Sequence, residues 1–169
     1  AQHMRAAGHD VAIVARFTRE WHLLRSSFSD GEEARSFEHE GVEITVLPLT
    51  AVSRLWLLPV FRWIGQPRTL PLARWCHAKA LGRPLAAACR GADVVHYLGG
   101  GPELLGFAAG TVARKTRARF MVEPALHSGF WGDSWVDREL YLGADGLLAH
   151  TNHEAAVLQQ MGVPKERVR

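Results

Sequence analysis

The feature that most constrains this chain is an alternation in its second half. The short apolar run "ADVVHYL" (92–98) precedes a helical pattern over 102–116. "ARFMVEP" then precedes a helical pattern over about 132–142, and "DGLLAH" one over 152–161. Short apolar runs of this kind read as strands buried on both faces, and strands alternating with helices call for a parallel sheet with crossover helices. The expected fold class is α/β: a Rossmann-like parallel sheet flanked by helices. "DVAIVA" (10–15) reads as another buried strand, and "SFEHEGVEITVLPL" as two short strands turning at Glu40-Gly41.

A chain of 169 residues is one domain's worth of sequence. Its net charge of +3 favours anionic partners without choosing one. No histidine pair has zinc-site spacing, so no metal is expected. Cys76 and Cys89 form no CxxC and read as reduced, buried thiols of an intracellular protein. No apolar run is long enough to span a bilayer. "AQHMRAAGHD" reads as the second half of a helix closed by Gly8, and "MGVPKERVR" as a helix end followed by the start of a strand. The chain is expected to be a piece of something longer.

Three stretches invite chemistry. "LGGGPELLG" is a glycine-rich strand-to-helix turn, but no Gly-Lys-Ser/Thr follows, and Leu104 stands where a dinucleotide fingerprint needs its third glycine. Gly99, Gly100 and Gly101 therefore read either as a tight turn or as bare amides lining a crevice at the sheet's carboxyl edge. Thr151 and Glu154 have capping-box spacing. His127, with Ser128 and Gly129, sits in a glycine-rich loop just beyond a strand, where a ligand contact and a structural histidine are both reasonable readings.

From Ile44 to Ala92 there is no acidic residue. Arg54, Arg62 and Arg68 alternate there with Trp56 and Trp63, and Pro59, Pro67, Pro71 and Pro84 should cut the stretch into short helices and loops. It reads as a solvated basic face over core tryptophans, as a membrane-surface patch, or as a nucleic-acid groove. Its leucines and prolines fit a membrane interface better than nucleic acid.

Five segments in order, "AAGHDVAIVA", "EHEGVEITVLPL", "ADVVHYLGGG", "ALHSG" and "ADGLLAHTNHEAAVLQQMGVPKERVR", resemble the N-terminal domain of family 4 glycosyltransferases of the GT-B fold. The resemblance implies one acceptor-side domain over 1–169, with the family's first strand upstream and its donor domain downstream. It implies transfer of a sugar from a nucleotide-sugar donor to a sugar, lipid or small-molecule acceptor, with retention. It places His127 opposite the transferred sugar, and Gly99–Gly101, Ser128, Gly129, Thr151 and Glu154 along the crevice. The piece alone should bind no cofactor and transfer no sugar, and its sheet should be interrupted between 10–15 and 93–98. A cytoplasmic enzyme, peripheral on the inner face of a membrane, is the expected setting. The rivals are a GT-B sugar-nucleotide epimerase, which needs carboxylates near the sugar (Glu123, Asp133 or Glu139), and a non-catalytic Rossmann-like module that binds a membrane or a partner.

Overall fold

A computed structural model describes residues 1–16 and 33–169. Helix α1 (Gln2–Ala6) ends where Gly8 adopts φ 90° and His9 N–H reaches back to Met4 O, a Schellman closure. Strands β1 (Ala12–Ala15), β2 (Arg35–His39) and β3 (Val42–Val46) form one sheet in the order β1-β3-β2, with β1 parallel and β2 antiparallel to β3. The β2–β3 turn has Glu40 at φ 52° and Gly41 at φ 78°. Two consecutive left-handed residues match the twist of a two-residue hairpin.

Helices α2 (Ala51–Leu57), α3 (Val60–Trp63) and α4 (Leu70–Ala88) follow. The first two are short, as the prolines suggest. The third runs for 19 residues despite Pro71 and Pro84, which corrects the expectation of short pieces throughout. Pro71 lies in the first turn, where its missing N–H has no intrahelical partner to serve. Pro84 removes the donor for the carbonyl four residues earlier, that of Ala80. The hydroxyl of Ser53, on α2, donates to that carbonyl at 3.3 Å.

The second sheet is wholly parallel, in the order β4 (Val94–Leu98), β5 (Arg119–Glu123), β6 (Gly146–Leu147). Helices α5 (Leu105–Thr116), α6 (Trp135–Leu142) and α7 (Asn152–Gln160) alternate with these strands. The strand expected over "DGLLAH" is only two residues long, but residue 168 bridges to Leu147 on its outer side. Val95, Tyr97, Phe120 and Val122 point into one continuous core, where they meet Leu81 and Leu85 of α4, Phe107 of α5, Leu140 of α6 and Leu158 of α7. Both cysteines are buried and unlinked.

Among the described residues no strand pairing joins the two sheets. β1 and β4 are edge strands of their own sheets, so the expected interruption between them is present among the described residues.

Candidate functional site at the carboxyl edge of the parallel sheet

The loops that leave β4, β5 and β6 share one edge, and the candidate residues sort into two layers there. The inner layer is the triple glycine, which is buried. Gly99 N–H donates to Glu123 O at 3.2 Å, and Gly101 N–H to Asp137 Oδ1 at 2.6 Å. The Tyr97 hydroxyl lies 3.0 Å from Gly100 O and 3.0 Å from Glu103 Oε2. Two of the three amides thus serve the fold rather than a ligand. Burial lifts the Glu103 carboxyl above its ordinary range, the Tyr97 hydrogen bond opposes this, and the Asp137 charge adds to it. Two carboxyl groups flanking the loop disfavour a bound phosphate.

A Cβ on Gly101 would stand 2.5 Å from Val136 O and 2.7 Å from Asp137 N. The glycine lets this loop lie directly on the first turn of α6. That turn carries a capping box: Ser134 Oγ accepts from Asp137 N–H, and Asp137 Oδ2 accepts from Ser134 N–H at 3.0 Å and from the Ser134 hydroxyl. Asp137 is 1% exposed, and three donors satisfy its carboxylate. The cap at Thr151 and Glu154 forms as its spacing indicates, and Glu154 Oε2 also accepts from His150 N–H.

The outer layer is polar and accessible. Glu123, the last residue of β5, lies between two imidazoles: its Oε2 is 3.2 Å from His96 Nε2 on β4, and its Oε1 is 3.0 Å from His150 Nε2 just beyond β6. Two adjacent strands and the loop after a third contribute one residue each. Ser128 Oγ lies 3.1 Å from His153 Nε2, which ties the loop after β5 to the first turn of α7. His127 is exposed and opens a tight loop, with its N–H on Trp131 O at 2.7 Å. Gly129 N–H is bound by the Asp133 carboxylate. Phe130, at 93% exposure, and the more sheltered Trp131 give this rim apolar faces beside the polar groups.

The glycosyl transferase 4-like domain family matches the chain over residues 1–169. The chain belongs to that family. It is a glycosyltransferase-type domain, a Rossmann-like half of the GT-B fold, acting on sugars at the family level. Comparison with curated proteins finds no match.

In this transferase domain the structure gathers His127, Ser128, Gly129, Thr151 and Glu154 on one rim and sets Gly99–Gly101 beneath it. The sequence reading missed His96 and His150. The signal available was their place in the runs "ADVVHYL" and "DGLLAH", since the loops between parallel strands impose no fixed spacing. Of the carboxylates an epimerase would need, Glu123 alone lies in the imidazole cluster. Asp133 holds the Gly129 loop, and Glu139 sits beside Arg138 at 3.9 Å. No group of three or more His, Cys, Asp or Glu among the described residues is arranged to hold a metal. No described helix is long and apolar enough to cross a membrane. Of the membrane candidates, Arg54, Trp56, Arg62 and Arg68 are exposed, whereas Trp63 is half-buried against the core.

Proposed function

We propose that this domain holds the acceptor half of a sugar-transfer reaction at the rim described above. A nucleotide-sugar donor supplies the sugar. The bond from the anomeric carbon to the diphosphate breaks, a bond to the oxygen of an acceptor hydroxyl forms on the same face, the nucleoside diphosphate leaves with the electron pair, and the hydroxyl proton passes to the leaving phosphate oxygen. The convergence of His96 within β4, Glu123 at the end of β5 and His150 in the loop beyond β6 carries this reading. Open α/β sheets bind ligands at that edge, and the carboxylate fixes which imidazole nitrogen faces outward. His127 and Ser128 extend the polar surface, and exposed aromatic faces flank it, as in sites that enclose an organic ligand with a few placed polar groups. The buried glycine loop offers no phosphate cradle, so the donor diphosphate is assigned to groups outside the described residues.

The 169-residue chain alone should turn over no nucleotide sugar. Half a crevice neither excludes water nor supplies the charge that stabilises a departing diphosphate. In the complete transferase, His127→Ala should lower kcat by about 10²-fold, the scale of one lost preorganised donor. Turnover by the chain alone, or a folded His127→Ala enzyme with unchanged kcat, would refute the assignment. The reading includes a cytoplasmic enzyme peripheral to a membrane, a location carried by a different face, that of α2–α4.

A further inference from the structure

Helices α2 and α3 lie on α4 with Leu57, Val60 and Ile64 buried beneath them. Their opposite side is also apolar. Leu55, Leu58 and Phe61 are exposed at 67%, 66% and 47%. Trp56 on α2 meets Trp75 on α4 edge to face, with ring centroids 5.4 Å apart, so the exposed surfaces of the two helices form one patch. Arg54, Arg62 and Arg68 are exposed around it, and Lys79 Nζ lies 5.5 Å from the Trp75 ring centre. The acid-free run from Ile44 to Ala92 spans all three helices, so they carry no carboxylate.

Exposed apolar side chains gathered in this way mark an interaction surface. A second copy docking face to face would bring arginines against arginines with no acid to relieve them. A membrane rich in anionic phospholipid complements both properties at once. We propose that the α2–α3 side and the outer face of α4 dock flat on such a membrane. Leu55, Trp56, Leu58, Phe61 and Trp75 enter the boundary between headgroups and acyl chains, and the three arginines meet headgroup phosphates. The Thr50 cap on Ser53 N–H and the Ser53–Ala80 bond fix α2 to the domain, so the patch exists before contact. The inference names the surface behind the peripheral location read above. It stands or falls without the sugar chemistry, because its test needs no sugar.

The test is sedimentation of the chain with vesicles of phosphatidylcholine alone, or of phosphatidylcholine mixed with phosphatidylglycerol. The expected result is binding to the mixed vesicles that weakens as salt rises. Changing Arg54, Arg62 and Arg68 together to Gln should weaken it by roughly fivefold per residue, the equivalent of ~1 kcal/mol for each basic side chain at an anionic surface. Leu55→Ser with Leu58→Ser should also weaken binding but leave the salt slope unchanged. Both positions face outward, so an unchanged melting temperature will show that the fold is intact. Equal binding to neutral and anionic vesicles would overturn the proposal. So would no binding to either, or a dimer in solution that the serine pair dissolves while vesicle binding is unaffected.

Discussion

Gly101→Ala tests how closely the glycine loop lies on α6. The added methyl would meet the carbonyl of Val136 at 2.5 Å and the amide of Asp137 at 2.7 Å. Both are backbone atoms in the capped first turn of a helix, so neither can rotate aside. The φ of Gly101 is not in the left-handed region, which leaves contact as the cause of any effect. Forcing a methyl into close-packed surroundings costs about 1–3 kcal/mol. Relieving the contact by shifting the loop also breaks the 2.6 Å bond from Gly101 N–H to Asp137 and leaves a buried carboxylate short of a donor, a further ~1–3 kcal/mol. Together they put the expected loss at about 2–6 kcal/mol. It would be read as a lower urea midpoint with an unchanged m-value, and as a fall in Tm of roughly 5–15 °C for a domain of this size. Gly82→Ala is the control. That glycine lies inside α4 with nothing within 4 Å of its added Cβ, so the change should stabilise by about 0.5–1 kcal/mol. A Gly101→Ala protein as stable as the parent would refute the backbone contact.

Two further outcomes follow from buried ionisable groups. His77 is buried, and its pKa is lowered to about 3, first by desolvation and then by the positive charge of Arg16. The folded state therefore binds fewer protons there than the unfolded chain. Stability from this group is present above about pH 6.5 and falls by up to ~1.4 kcal/mol per pH unit as acid protonates the unfolded state, until the folded value is passed. Urea midpoints between pH 5 and 6.5 should show that slope in the parent and lose it in His77→Phe; identical slopes would refute the assignment. Asp137→Asn keeps the volume but turns an amide N–H₂ toward groups that already donate, so a loss of about 2–3 kcal/mol is expected by thermal melting. An unchanged melting temperature would show that the carboxylate is not what holds the Gly101 loop and the Ser134 cap.

The alternation of strands and helices was legible because each strand is a short apolar run bounded by turn residues. The β2–β3 hairpin was legible from Glu40-Gly41, and the α7 cap from Thr151 and Glu154. The rest depends on contacts distant in sequence. α4 passes through Pro84 because a hydroxyl 27 residues before Ala80 satisfies the freed carbonyl. The glycine loop acquires a partner 36 residues away, in Asp137. The imidazole pair around Glu123 exists only once three strands lie side by side. The half-burial of Trp63 was legible too: Leu57, Val60 and Ile64 recur at three and four residues, which marks the buried side of α2–α3, and Trp63 borders it.

Among the described residues β4 is an edge strand, with Leu98 at 66% exposure and Val94 also turned outward. Such an edge offers a row of backbone donors and acceptors to any extended segment that arrives, including the same strand of another molecule. The sequence Val-Val-His-Tyr-Leu has no proline, lysine, arginine, aspartate or glutamate to discourage that pairing. Strand-to-strand aggregation starting at β4 is therefore expected at high protein load, and a single lysine at position 94 or 98 is the natural gatekeeper.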